Sequence, residues 1–203
     1  MSFLLANPAA VAVLAWQHVQ ITAAAVLLAA VMGVPLGILI HRVGLLAVPV
    51  LSVAGVLYTI PSLALFALLI PLMGLGVRPA ITALVLYSLL VVIRNTAAGL
   101  RSVPEEVVDA ARGIGMSGLQ RLWYVELPLA LPVIMAGIRV AAVMDIGIAA
   151  VAAYIGAGGL GELIFRGLAT LDMDRLLTGT VAVAALALAA DWGLTRVEMV
   201  LRR

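Results

Sequence analysis

The sequence predicts an all-α polytopic membrane protein with about five transmembrane helices. Of its 203 residues, 65% are apolar and only 11% charged, whereas an average soluble domain is about 25% charged. So few charges cannot cover a water-facing surface. The same apolar richness excludes a disordered chain, which is poor in such residues. The apolar residues also run on in long stretches instead of alternating over roughly ten-residue strands, which favours helices over a membrane barrel.

A helix needs roughly 20 mostly apolar residues to cross the hydrocarbon. Five stretches qualify: Val19–Ile40, Leu45–Leu72, Ala80–Leu100, Leu127–Tyr154 and Leu176–Leu194. The second and fourth exceed what a bilayer needs, so they must tilt, kink or extend past it. Pro49, Pro61 and Pro132 are the expected kink sites, because proline lacks the amide hydrogen and crowds the preceding turn. The N-terminus, Met-Ser-Phe-Leu-Leu-Ala-Asn-Pro, lacks the positive region of a signal peptide and is expected to be retained. Residues 1–203 read as one transmembrane domain without internal repeats.

Arginine placement sets the orientation. With the Arg101–Glu126 loop inside, Arg42, Arg101, Arg112, Arg121, Arg196, Arg202 and Arg203 lie inside, against Arg78, Arg166 and Arg175 outside. The N-terminus is therefore expected outside and the C-terminus in the cytoplasm. Trp16, Trp123 and Trp192 fall near the expected interfaces.

Composition removes several chemistries. The chain has no cysteine, which excludes disulfides, thiolate metal sites and cysteine nucleophiles. All twelve positive side chains are arginine. A P-loop needs a lysine on the phosphates, so the chain cannot be its own Walker-type ATPase. His18 and His41 are too few and too far apart for a metal site. The arginines are scattered, so no nucleic-acid patch forms. A membrane enzyme would need convergent titratable groups, and only isolated ones occur.

The Arg101–Glu126 loop is the most informative segment. Ser102-Val103-Pro104-Glu105 and Ser117-Gly118-Leu119-Gln120 each fit a capping box, in which a serine hydroxyl and the third helical residue cap one another's amides. Gly113 and Gly115 separate the two short helices they would start. The result is two helices at a glycine elbow, suited to docking on a soluble partner or, more plainly, to connecting two spans.

The spacing here resembles the "EAA" signature of ABC importer permeases: Glu-Ala-Ala, three residues, glycine, nine residues, an aliphatic, any residue, Leu-Pro. In this chain it reads Asp109-Ala110-Ala111, Gly115, then Val125-Glu126-Leu127-Pro128. Aspartate stands for glutamate and valine for isoleucine. The resemblance implies a type I importer permease (MetI-like) fold. It also implies an ATPase-coupling role for Asp109, Ala110, Ala111, Gly115, Leu127 and Pro128.

Further segments resemble the permeases of osmoprotectant importers, which carry glycine betaine, choline and carnitine. These are Thr59-Ile60-Pro61-Ser62-Leu63-Ala64-Leu65, Leu75-Gly76, Arg94-Asn95-Thr96 and Ile155-Gly156-Ala157-Gly158-Gly159-Leu160-Gly161. Tyr58 stands where many relatives carry glutamine. Methionine and amino-acid importers share the architecture and are the alternative. The resemblance implies a bacterial inner-membrane location and three partners: an ABC ATPase subunit, a second permease copy or related permease, and an extracytoplasmic substrate-binding protein. It implies no cofactor in this chain, since ATP and magnesium belong to the ATPase.

Polar groups inside the spans are costly and face the bundle interior or snorkel. Arg94 is close enough to its span's inner end to snorkel, as is Asp191. Asp145 either lines the pathway or pairs with Arg94 or Arg139. Tyr58, Thr59, Pro61 and Ser62 mark a break that lines the pore or moves on gating, or else a packed kink; Arg94, Asn95 and Asp145 complete the expected pathway set. Gly156, Gly158, Gly159 and Gly161 match a dinucleotide-loop spacing. The apolar run before them is too long for the strand such a site requires, so an outer-face turn followed by a short amphipathic segment, Glu162–Leu168, is expected.

Overall fold

The computed structural model describes residues 2–201; Arg202 and Arg203, counted above among the inner charges, lie outside them. In order the helices are α1 (Ser2–Ala6), α2 (Pro8–Arg42), α3 (Ala47–Thr59), α4 (Ser62–Met73), α5 (Val77–Arg101), α6 (Glu105–Gly113), α7 (Gly118–Arg121), α8 (Leu127–Ala152), α9 (Gly161–Thr170) and α10 (Met173–Leu201). Four helical stretches are long and apolar enough to cross a membrane: Pro8–Arg42, Val77–Arg101, Gly118–Ile155 and Met173–Val200. The pair α3/α4 makes a fifth if it counts as one span.

At that pair, of the kink and the break expected around Pro61, the break is found. The chain turns by 99° between α3 and α4, so Pro61 breaks the helix outright. Ile60, immediately before it, is extended at φ −67°, ψ 127°, because the proline ring disfavours helical geometry in the preceding residue. Pro49 makes no kink: it lies in the first turn of α3, where its missing donor costs nothing. Pro132 lies within the continuous α8.

The first expected capping box does not form. Pro104 stands at the cap of α6, and the Ser102 hydroxyl turns back to donate to the Gly99 carbonyl at 2.8 Å. The restriction that proline places on Val103 moves the helix start to Glu105. Glu105 and Glu106 then occupy the first turn and Arg112 the last, matching the helix dipole. The second box forms as expected, with reciprocal bonds between Ser117 and Gln120.

α5 is the axis of the bundle. Fifteen of its residues are buried, between α2 on one side and α8 on the other. Lipid tails are as apolar as leucine, so helices associate here through close contact of small residues. α2 presents Ala25, Ala29, Gly33 and Gly37 at four-residue intervals, all buried. A Cβ on Gly33 would meet Val92, and one on Gly37 would overlap Thr96. On the other side, Gly99 of α5 lies against the Ala130 carbonyl, and Gly137 of α8 against Asn95.

Gly37→Leu is expected to destabilise the detergent-solubilised protein by about 1–3 kcal/mol through overpacking, whereas Gly193→Ala, with open space around it, is expected to stay within about 0.5 kcal/mol. Thermal unfolding of the two variants measures the difference.

Candidate functional site

The signature loop forms a knob at the end of the bundle where α2 and α5 finish. α6 ends at Gly113, and Gly115 adopts φ +85°, a left-handed conformation that glycine reaches without a Cβ clash. Asp109 lies on the exposed side of α6 and accepts from Arg112 at 2.8 Å. Ala111 is buried beneath it at 5% exposure. At the tip Ile114 is 76% exposed and Leu119 67%. Leu127 and Pro128 lie apart from the elbow, at the start of α8. Pro128 has no amide to offer Tyr124, and its ring crowds that carbonyl. The helix there widens into a π turn over Leu122–Glu126, in which the Leu127 amide donates to Leu122.

The sequence reading passed over Glu126, the unconstrained position of the signature. It is 4% exposed, and its two oxygens accept from Arg42 at 3.1 Å and Arg121 at 2.8 Å. A glutamate immediately before Leu-Pro in an otherwise apolar run was the available signal.

A second cluster lies at the α3/α4 break. Tyr58, Ile60, Ser62, Tyr87, Met144 and Ile148 line a pocket of about 280 Å³. The Thr59 hydroxyl donates to the Val56 carbonyl at 2.7 Å. The Ile60 carbonyl, left without a helical partner, accepts from the Tyr87 hydroxyl at 2.6 Å. In lipid every such carbonyl must be satisfied, so Tyr87 holds the break open. Tyr87 was not foreseen from the sequence; its ring meets that of Tyr58 edge-on at 6.1 Å.

The remaining expected pathway residues do not join this cluster as a set. Asp145 is fully buried and accepts from the Ser88 hydroxyl at 2.8 Å. The expected alternative, an ion pair between Asp145 and Arg94 or Arg139, is not formed among the described residues. Arg139 lies instead 3.6 Å from both Asp191 and Glu198 on α10. Arg94 is exposed, and the Asn95 amide donates to the Val91 carbonyl at 2.9 Å.

At the opposite end of the bundle, Gly156, Gly158 and Gly159 all have φ near +80°. Gly159 donates to the Gln17 side chain at 3.3 Å, and the Leu160 amide donates to His18 Nδ1 at 3.3 Å. His18 Nε2 then lies 2.9 Å from the Ile146 carbonyl, so one neutral tautomer satisfies both contacts. Gly161 starts α9, and a Cβ there would overlap the Ala150 carbonyl. No strand precedes this loop among the described residues, as a dinucleotide site would require.

The chain combines four or five membrane-length helices, an exposed knob and a span broken at Pro61. It belongs to the family described as "Binding-protein-dependent transport system inner membrane component", whose profile matches residues 25–203. It is 50% identical over 204 residues to the osmoprotectant import permease protein OsmW of Salmonella typhimurium, covering 98% of this chain and 95% of that one. It is 45% identical over 183 residues to the carnitine transport permease protein OpuCB of Listeria monocytogenes, covering 90% and 84%. Among solved structures, an inward-facing MetNI methionine ABC transporter superposes with a TM-score of 0.85 at 22% identity, covering 93% of this chain and 94% of that chain. That likeness carries the fold.

Tyr87→Phe, which strips the Ile60 carbonyl of its donor, is expected to lower stability by about 1–2 kcal/mol. Thr59→Val at the exposed rim should change it by under about 0.5 kcal/mol; denaturation in detergent compares them.

Proposed function

We propose that this chain is the membrane-spanning permease of an ATP-driven importer for osmoprotectants of the quaternary-amine class, such as glycine betaine, choline or carnitine. The observation that carries the permease role is the inner knob. It combines a left-handed glycine, a small-residue helix with buried Ala111, and exposed apolar side chains at its tip. An apolar patch rimmed by charge marks an interaction site. The names of the relatives support the substrate class. Likeness to a methionine transporter is a likeness of fold, so the amino-acid alternative has the weaker support.

In this reading Asp109, Ala110, Ala111 and Gly115 form the surface gripped by a separate ATPase subunit. Leu127 and Pro128 set the geometry where the knob joins α8. ATP and its magnesium are held by that ATPase, and this chain supplies no catalytic group. Two permease copies, or this one with a related permease, enclose the path. ATP-driven movement of the knobs alternates the pore between inward- and outward-facing states by rigid-body rotation. A substrate-binding protein delivers ligand at the Gly156–Gly161 end.

Tyr58, Thr59, Pro61 and Ser62 place an irregular backbone beside a small pocket, the kind of backbone that membranes tolerate where it lines a cavity. Two tyrosine rings and Met144 there offer weak contact to a passing cation. Arg94, Asn95 and Asp145 lie further along α5 and α8 and belong to the same path or to its support. The N-terminus is outside and the C-terminus in the cytoplasm of a bacterial inner membrane. The arginine bias supports this orientation.

Two measurements test this reading. Ile114→Asp is expected to cut uptake about tenfold or more, as removal of an interface anchor does, while the protein still reaches the membrane; unchanged uptake would place the docking site elsewhere. In the cysteine-free background, Leu119→Cys should react with an impermeant thiol reagent only from the cytoplasmic side and Leu75→Cys only from outside. The reverse pattern would invert the topology.

A further inference from the structure

We infer that Glu126 and Arg42 form the linkage through which movement of the knob is passed to α2, making Glu126 a positioning residue for coupling. The inference rests on the coupling role proposed above. Arg42 is the last residue of α2, 84 positions before Glu126 in the chain. Its Nη2 donates both to Glu126 Oε2 at 3.1 Å and to the Gly118 carbonyl at 3.1 Å. Gly118 is the first residue of α7. One guanidinium therefore ties the foot of α2 to both ends of the short segment that joins the elbow to α8.

Glu126 is held from the knob side as well. Arg121 Nε donates to Oε1 at 2.8 Å, and the side chains of Arg121 and Glu126 are only 14% and 5% exposed. Both oxygens of this buried carboxylate are hydrogen-bonded to guanidinium groups, and charge-assisted bonds are the strong ones. Exposed ion pairs contribute little; in the pair that reaches α2 the Arg42 side chain is 31% exposed, but its carboxylate partner is buried at 5%. Glu126 also sits inside the π turn that Pro128 imposes, a feature frequent at functional sites.

The arrangement has a mechanical consequence. α2 is one helix from this clamp to Gln17 and His18, which hold the glycine loop at the far end, with Pro35 inside it. A displacement of the knob that pulls Glu126 pulls the foot of α2 with it. The close packing of Gly33 and Gly37 on α5 flanks Pro35 and holds α2 along α5 on both sides of it. Without the clamp the knob still sits on α8, but α2 is no longer tied to it.

The test uses the full importer in proteoliposomes, with substrate uptake and ATP hydrolysis measured together. Arg42→Gln and Glu126→Gln are each expected to lower substrate moved per ATP about tenfold, within the usual range of coupling free energies, while ATP hydrolysis continues. The double variant should be no worse than the worse single one, since both remove the same contact. A purely structural pair would instead lower the amount of protein in the membrane and leave transport per ATP unchanged; that result overturns the proposal. If Glu126→Gln does not reach the membrane, Arg42→Gln, which leaves Glu126 paired with Arg121, carries the test alone. Uncoupling by Ile114→Asp but not by Arg42→Gln would leave the docking role intact and remove the clamp. Normal coupling in both variants would remove both.

Discussion

Everything in this molecule hangs on how closely α5 is approached from both sides. In a bilayer the hydrophobic effect does not draw helices together, because lipid and leucine are equally apolar. Contact must come from backbones brought near enough for dispersion forces to accumulate. Gly33 and Gly37 of α2 do this on one side, and Gly99 of α5 with Gly137 of α8 on the other. With α5 clasped in this way, its side chains have defined neighbours. Ser88 can meet Asp145, and Tyr87 can meet the broken backbone at Ile60.

The same constraint explains where irregularity is allowed. Proline at 61 frees carbonyls that lipid cannot hydrate. The structure answers with a tyrosine hydroxyl from α5 and a threonine hydroxyl from within α3. Proline at 128 produces a milder response, a single wide turn at the start of α8. Two prolines thus yield a right-angled break and a π turn, and the difference lies in what surrounds each. The break borders a pocket, and the turn borders a buried ion cluster.

Much of this was legible in the residues. Span positions follow from apolar run length, and the elbow from Gly113 and Gly115 with the capping pair Ser117 and Gln120. What stayed hidden depended on partners distant in sequence. Tyr58, Thr59, Pro61 and Ser62 mark the place of the break between α3 and α4, but proline does not fix its angle of 99°. Opposite charge makes Arg94 and Arg139 the expected partners of Asp145, yet a neutral serine, Ser88, reaches it. Arg139 instead meets α10, whose register no local pattern reveals. Glu126 occupies a position the family signature leaves open, and its importance appears only when Arg42 arrives from 84 residues away. Ser102 does not cap α6 because Pro104 displaces the helix start to Glu105.

In the function proposed above, a separate ATPase subunit grips the elbow at Gly115 and moves the chain. The most direct measurement is photo-crosslinking in the assembled importer, with a benzophenone side chain in place of Ile114. The account expects a nucleotide-sensitive adduct between this chain and the ATPase subunit. An adduct with lipid or the substrate-binding protein alone would contradict it.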